Sequence, residues 1–171
     1  MSRPGSSIDQ TRFLALHSRT NEPLRRYVAR TLGRSEGVED ILQEVYLKAL
    51  SRGLPPEPDA ARAYLFRMAS NLVVDHWRRG RVRAANADPD PVIGEADPGL
   101  GLDLTRVFNR LSIRDRQLVW LAYVEGADRE SIGDALGLGA ASVRVMLHRA
   151  KARLAAAMRA GGYGGSNDAD A

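Results

Sequence analysis

The fold of this chain is decided by residues 129–151, which read RESIGDALGLGAASVRVMLHRAK. The pattern predicts a short helix, a tight glycine turn and a longer basic helix. Two helices that cross closely need a small residue at the crossing, a glycine in the turn and an apolar residue facing inward. Gly133, Gly137 and Val143 occupy these three positions. The segment therefore has the form of a helix-turn-helix.

The second helix of this motif, predicted over residues 140–160, separates into two faces. An inner stripe of apolar side chains comprises Val143, Leu147, Ala150 and Leu154. The outward, mostly polar face comprises Ser142, Arg144, Val145, His148, Arg149 and Lys151. In a DNA major groove, arginine can pair bidentately with guanine, while lysine neutralises phosphate. The alternative is a plain helical hairpin with a solvated basic face.

Charge is distributed unevenly, and this favours DNA binding over the plain hairpin. Residues 140–159 carry five basic groups and no acid, and residues 62–83 carry six arginines against one acid, Asp75. Residues 84–103, between these segments, carry five acids and no basic group. Two basic segments that flank an acidic one are expected if two separate surfaces meet phosphate.

Apolar residues recur at spacings of three and four along most of the chain, which predicts an all-α protein. Pro23 suits a helix start, and Gly33, Gly53 and Gly80 suit helix ends. The expected helices before the linker cover about 9–18, 23–32, 36–52 and 60–79, with a proline-rich loop at 53–59. Those between the linker and the helix-turn-helix cover about 104–110 and 112–124, the latter capped by Ser112.

Residues 84–103 are rich in proline, glycine and acids and poor in large apolar side chains, which predicts a flexible acidic linker. The chain then consists of two small helical domains, 1–83 and 104–160, of which the second contains the helix-turn-helix. The glycine-rich end, residues 161–171, is expected to be a disordered tail.

The amino-acid composition argues against several kinds of functional site. The chain contains no cysteine, which excludes disulfides and thiolate metal sites, and His17, His76 and His148 are too scattered to suggest a metal site. We therefore expect no metal, no cofactor and no catalytic residue. No apolar run approaches the ~18 residues of a membrane span, and the first residues do not resemble a secretory signal. A cytoplasmic protein without membrane insertion is expected.

Three segments together resemble the extracytoplasmic-function (ECF) class of bacterial RNA polymerase sigma factors. They are VEDILQEVYLKAL (38–50), AYLFRMASNLVVDHWRR (63–79) and LSIRDRQ (111–117), the last followed by Glu125-Gly126 and the helix-turn-helix. The resemblance implies a non-enzymatic transcription initiation factor that binds core RNA polymerase and promoter DNA. It also implies that residues 1–83 form sigma region 2 and residues 104–160 form sigma region 4. An anti-sigma factor is a possible further partner.

The resemblance assigns roles in the first domain. It implies that the third predicted helix docks on the polymerase clamp through Glu39, Asp40, Gln43 and Glu44. Without the resemblance, a solvated acidic face is the simpler interpretation. The next helix would bind a flipped base of the minus-ten element through Asn71 and Asp75, and phosphates through Arg78, Arg79 and Arg81. Tyr64, Leu65, Met68, Leu72 and most of Trp77 are expected in the core.

Other matched segments concern DNA recognition. The loop at 53–59 matches the family's base-capturing loop, and the outward face of the last helix would bind the minus-thirty-five element. Gly133 replaces the usual alanine and is expected to cost roughly 1 kcal/mol of helix propensity.

Two alternative functions belong to other classes of protein. One is a two-domain helix-turn-helix regulator that binds duplex DNA without polymerase. The other is a metal-dependent nuclease with Asp40, Glu44 and Asp75 as ligands.

Overall fold

A computed structural model describes residues 10–84 and 102–162 of the chain. Within these two ranges the regular structure is entirely helical and comprises seven helices. In chain order they are α1 (Gln10–Leu32), α2 (Val38–Arg52), α3 (Pro58–Ala84), α4 (Leu102–Asn109), α5 (Ile113–Tyr123), α6 (Arg129–Leu136) and α7 (Ala140–Ala160). The all-α prediction is confirmed for the described residues.

The first helix corrects the prediction of separate helices over 9–18 and 23–32, because α1 runs without a break through Pro23. Proline removes one N–H donor from a helix interior, which is why Pro23 suggests a helix start. However, Leu16, Thr20 and Leu24 follow one another on the inward face of α1, on both sides of the proline. Burial of this continuous face outweighs the lost hydrogen bond.

Helix α3, which corresponds to the helix predicted over about 60–79, also extends beyond its expected end at Gly80 and reaches Ala84. A single glycine weakens a helix interior by only about 1 kcal/mol relative to alanine, so it does not stop a helix by itself. Helices enter both ends of the predicted linker, since Ala84 ends α3 and Leu102 begins α4. The rest of the linker, residues 85–101, and the tail residues 163–171 lie outside the described residues.

Helices α1, α2 and α3 form the first domain and pack against one another in all three pairs. Their shared core contains fully or almost fully buried side chains from each helix. These are Leu24, Tyr27 and Val28 from α1, Ile41, Leu42 and Val45 from α2, and Leu65, Ala69 and Val73 from α3. Helix α2 corresponds to the helix predicted over about 36–52, and its Val38 and Ala49 are buried too, whereas Tyr46 is only half-buried.

Helices α4 to α7 form the second domain, in which the predicted cap at Ser112 is confirmed and Asp128 caps α6 in the same way. The Ser112 hydroxyl accepts a hydrogen bond from the Asp115 amide at 3.1 Å, and Asp128 accepts one from the Ser131 amide at 2.7 Å. These contacts satisfy amides that the first turn of a helix leaves unbonded. The turn between α6 and α7 contains Gly137 with φ +67, a conformation that favours glycine.

Gly133 is buried where α6 meets this turn. A Cβ atom built on Gly133 would lie 2.4 Å from the Leu138 carbonyl oxygen and 3.7 Å from Cγ2 of Val143. The Gly133 carbonyl also accepts the Leu138 amide at 2.8 Å, which holds the turn against the helix. Close packing therefore requires a residue without a Cβ atom at this position of α6. The same glycine lowers the intrinsic helix propensity of α6.

The two domains pack against each other, a contact that the expectation of a flexible linker did not include. Helix α5 contacts α1, and α6 contacts α3. Buried apolar residues from both domains join in one cluster that runs from Leu24 and Leu65 to Trp120 and Ile132. The contact between α1 and α3 on one side and α5 and α6 on the other is called the interdomain interface below.

Candidate protein and nucleic-acid interfaces

The outward face of α7 is exposed to solvent. Ser142, Arg144, Val145, His148, Arg149 and Lys151 all lie on it. Within residues 10–84 and 102–162, no acid pairs with Arg144, Arg149 or Lys151. By contrast, Arg153 donates from Nη1 to both carboxylate oxygens of the buried Asp115 at 3.0 Å, although its own side chain is 59% exposed. Helix α7 thus carries a structural arginine on one side and unpaired cations on the other.

A second exposed polar face lies on α3. Asn71 and Asp75 are exposed one turn apart in the middle of the helix, so Asn71 neither caps a helix end nor packs in the core. Beyond them, Arg78, Arg79 and Arg81 are exposed as well. The structure therefore places an amide, a carboxylate and three guanidinium groups along the exposed side of the second half of α3.

Trp77 departs from its expected core position. It is 37% exposed, and the Arg81 guanidinium lies 4.8 Å from its ring centroid. Cation–π contact with Arg81 accounts for part of the covered ring surface. Leu65, Met68 and Leu72 are buried as expected, whereas Tyr64 is only half-buried.

The proline-rich loop is shorter than predicted, because α3 already begins at Pro58 and leaves residues 53–57 without helical structure. Its carbonyl groups are held by a residue that the sequence did not single out. The Arg12 guanidinium on α1 donates hydrogen bonds to the carbonyl oxygens of Pro55 and Pro56, the latter at 2.6 Å. No local pattern links Arg12 to a loop more than forty residues away.

The acidic face of α2 borders a groove of about 550 Å³ between α1 and α2. Glu39 lines this groove with Gln43 and forms an ion pair with Arg25 of α1. Asp40 is exposed, and Glu44 pairs with Lys48 at 2.7 Å on the same helix. The groove is completed by His17, Asn21, Leu42, Tyr46, Leu47 and Leu50.

Two leucines give the groove its apolar character. Leu47 is 66% exposed and Leu50 is 49% exposed. Next to them the rings of His17 and Tyr46 lie 4.7 Å apart. These residues were not predicted as part of a site, although the sequence contains a signal for them: two leucines three positions apart lie off the inward stripe of α2. Acids beside exposed apolar side chains can bind another protein, because both kinds of contact are available there.

The interdomain interface is built from polar groups that find partners across it. Gln117 of α5 is completely buried, and its Nε2 donates to the Ser70 carbonyl of α3 at 3.0 Å. The Ser70 hydroxyl in turn meets the Tyr27 hydroxyl at 2.6 Å, and burial raises the Tyr27 pKa well above its ordinary value. Arg30 of α1 reaches the Thr105 hydroxyl of α4 at 3.1 Å.

Two further arginines cross this interface. Arg116 of α5 donates to the Thr31 carbonyl of α1 at 3.1 Å and to two carbonyls of its own domain, those of Leu111 and Asn109. Burial lowers the Arg116 pKa. Arg62 of α3 forms an ion pair with Glu125, which follows α5.

The residues considered as nuclease ligands do not form a metal site. Among the described residues, no group of three or more histidines and carboxylates could hold a metal ion, so Asp40, Glu44 and Asp75 do not come together. None of the helices in the described ranges has the length and apolar character needed to cross a membrane.

Comparison with known proteins matches both domains separately. Residues 16–83 match the family model for Sigma-70 region 2, and residues 101–154 match that for Sigma-70, region 4. The ECF RNA polymerase sigma factor SigF of Caulobacter vibrioides is 33% identical over 142 residues, which cover 80% of this chain and 79% of SigF.

Solved structures agree with this match. The sigma factor CnrH, solved in complex with the cytosolic domain of CnrY, has a TM-score of 0.64 at 25% identity, covering 90% of this chain and 92% of CnrH. The sigma factor RpoE of Bartonella quintana, solved with the anti-sigma factor NepR, shares the fold with a TM-score of 0.73 at 20% identity, covering 86% of this chain and 96% of RpoE. With its two regions in the same order, the chain belongs to the ECF RNA polymerase sigma factors of the sigma-70 family.

Proposed function

We propose that this chain binds core RNA polymerase in the cytoplasm and directs it to promoters, where it assists DNA melting and transcription initiation. One observation carries this proposal: two exposed polar faces, on α3 and on α7, present arginines from two different domains that form no ion pair with an acid within residues 10–84 and 102–162. A protein with two such surfaces can contact two stretches of one DNA molecule. Family membership supports initiation as the process and a non-enzymatic role.

The polymerase contact is assigned to the groove between α1 and α2 and to its acidic border. Glu39, Asp40, Gln43 and Glu44 supply acceptors, while Leu47 and Leu50 supply apolar area that is exposed in the free protein. Apolar side chains surrounded by a polar border are typical of protein interfaces that form and separate.

The minus-ten contact is assigned to the exposed face of α3. An amide and a carboxylate can hydrogen-bond the Watson–Crick edge of a base only after the base has left the stack. Asn71 and Asp75 would make this contact, and Arg78, Arg79 and Arg81 would bind the neighbouring phosphates. The 53–57 loop held by Arg12 would bound the same site.

The minus-thirty-five contact is assigned to the outward face of α7, which follows the helix-turn-helix geometry. Arg144 and Arg149 can reach base edges, Lys151 can neutralise a phosphate, and Ser142, Val145 and His148 complete the surface. An anti-sigma factor that covers one of these faces would hold the chain inactive.

Transcription in vitro with purified core polymerase tests the proposal. We expect promoter-specific transcripts only when both the chain and core polymerase are present. Replacing Leu47 and Leu50 with serine should reduce binding to core polymerase at least tenfold, because apolar contact area is lost. Tyr123→Ser, which alters a 58% exposed side chain outside the groove, is the matched control.

The same assay separates the two-domain regulator from a sigma factor. A regulator would bind its duplex site tightly by itself, and core polymerase would add little. Tight, sequence-specific duplex binding by the chain alone, with no transcript from core polymerase, would overturn the proposal.

A further inference from the structure

We propose that Arg12 of α1 is a positioning residue for minus-ten recognition. It fixes the 53–57 loop in one conformation, so that the loop can contact an unstacked base of the melted strand. The role of the loop in DNA binding rests on the proposed function. The hold of Arg12 on the loop is a property of the chain alone, and it can be tested without polymerase or DNA.

The loop has few groups that could hold its own backbone in place. Two of its five residues are prolines, which have no N–H to donate. The Gly53 amide donates back to the Ala49 carbonyl of α2 at 3.0 Å, and the Glu57 carbonyl accepts the Ala61 amide of α3 at 2.9 Å. These two hydrogen bonds tie the ends of the loop to the neighbouring helices. The middle of the loop depends on another part of the chain.

Arg12 holds this middle part. Its Nη2 donates to the carbonyl oxygens of Pro55 and Pro56, the latter at 2.6 Å. One nitrogen with two N–H groups that meets two successive carbonyl groups fixes the direction of both peptide planes. Hydrogen bonds from a charged guanidinium are also stronger than those between neutral groups. Arg12 therefore determines which way the backbone of the loop points.

Arg12 and the loop are attached to the same helical core. Phe13, the next residue of α1, packs edge-on against the Tyr46 ring of α2, with the ring centroids 6.1 Å apart. At the start of the loop, Leu54 is partly buried and packs against the core of the domain. A loop that is ordered before it binds does not lose conformational freedom on binding. The arrangement is therefore preorganised for a ligand.

The loop and the first residue of α3 present apolar surface to that ligand. Pro56, Glu57 and Pro58 are exposed. Proline is among the apolar side chains that proteins insert between base steps. A base that has left the stack can therefore pack on this surface without an aromatic partner. Selection among bases then depends on the shape of the surface, which stays constant only while the loop is fixed.

The loop should meet a different nucleotide from the one assigned to Asn71 and Asp75. Asn71 lies about 20 Å along α3 from Pro58, its first residue, because a helix rises ~1.5 Å per residue. Nucleotides of a stacked strand are ~3.4 Å apart, so this distance spans several of them even when the strand is stretched. Arg12 and Asn71 should therefore affect base preference at separate positions of the minus-ten element.

A nitroxide label on the loop tests the hold of Arg12 in the protein alone. The chain has no cysteine, so Glu57→Cys introduces one attachment site on the exposed part of the loop. We expect restricted label motion with Arg12 present, loss of this restriction in Arg12→Ala, and partial recovery in Arg12→Lys, whose ammonium donates without the planar geometry. Arg19→Ala, which removes another exposed arginine of α1, should leave the motion unchanged. Circular dichroism should show equal helicity in all variants.

Base preference gives the second readout. The chain and core polymerase are bound to templates with a pre-melted minus-ten bubble, in which each base is replaced in turn. At the position that the loop contacts, Arg12→Ala should reduce discrimination between bases about 3- to 10-fold, because the fitting conformation becomes only a fraction of the population. The preference at the position assigned to Asn71 and Asp75 should stay the same. Arg12→Lys should recover part of the lost discrimination, and Arg19→Ala should match the unchanged chain.

Salt dependence separates positioning from direct contact with DNA. If Arg12 bound a phosphate itself, Arg12→Ala would reduce the slope of log affinity against log salt by about 0.7, the value for one contact to a single strand. Such a reduction would overturn the proposal, and so would unchanged label motion or unchanged base preference in Arg12→Ala. If the unchanged chain shows no base preference on the bubble templates, the proposed function fails, and the label experiment alone decides whether Arg12 fixes the loop.

Discussion

The arginines of the interdomain interface and those of the exposed faces differ in their partners. Arg116 and Arg62 at the interface donate to carbonyl groups or a carboxylate of the same chain. Arg78, Arg144 and Arg149 are exposed, and no acid within the described ranges pairs with them. A guanidinium whose N–H groups already donate to acceptors of the same chain stabilises the fold. A guanidinium whose N–H groups are exposed can instead bind a phosphate or a base. Substitutions should therefore affect stability in one set and binding in the other.

The largest effect is expected at Arg116. Replacing Arg116 with alanine removes a largely buried guanidinium and leaves three carbonyl groups without their donor. We expect the free energy of unfolding to fall by about 2–4 kcal/mol, measured by denaturant titration. A loss below about 0.5 kcal/mol would mean that this arginine belongs with the exposed set.

The next effect tests the α3 face and should leave stability intact. Replacing Asn71 and Asp75 together with alanine should reduce open promoter complexes about 10- to 100-fold while the melting temperature stays within about 2 °C. On a template with a pre-melted bubble the defect should persist, because the base contact is still missing there. Full activity of the folded double variant would remove these two residues from the minus-ten site.

A smaller effect distinguishes base contacts from phosphate contacts on α7. Arg144→Ala should cost ~1–3 kcal/mol at the cognate upstream element and relax the preference at one base pair. Lys151→Ala should weaken all sequences alike and reduce the dependence of binding on salt. Both are measured as binding of promoter variants by the polymerase complex across salt concentrations. Identical behaviour of the two variants would contradict base recognition by Arg144.

The smallest expected effect is at Gly133, where helix propensity and packing predict opposite changes in the stability of the protein. Helix propensity alone predicts that Gly133→Ala stabilises α6 by about 1 kcal/mol. The added Cβ would lie 2.4 Å from the Leu138 carbonyl oxygen, and overpacking of this kind costs about 1–3 kcal/mol. We expect a net destabilisation of about 1 kcal/mol by thermal unfolding, with Ala140→Gly on α7 as a control for propensity without a clash.

Much of the fold followed from local sequence. The caps at Ser112 and Asp128 and the turn at Gly137 were predictable because each depends on residues within one helical turn. The inward stripes of α2 and α7 were predictable for the same reason, since periodicity records which side of a helix is apolar. The exposed positions of Arg144 and Arg149 followed as the complement of the α7 stripe.

Features that depend on distant residues were not predictable. Whether α1 continues through Pro23, and whether α3 continues past Gly80, depends on what the other helices bury against them. The Arg12 contact with the proline-rich loop, the groove beside Leu47 and the pairing of Arg62 with Glu125 join residues far apart in sequence. Gln117 and Arg116 would be expected on a surface from their polarity alone.

The sequence by itself determined that the chain is helical, that it contains two domains with a helix-turn-helix in the second, and which family it resembles. These properties depend on periodicity, turn chemistry and motif order, all of which are local. Only the tertiary structure decided that the domains share one buried cluster and that some arginines are paired inside the molecule while others are not. Packing and pairing depend on which surfaces meet in three dimensions, and a polar residue has the same local pattern whether it meets water or another helix.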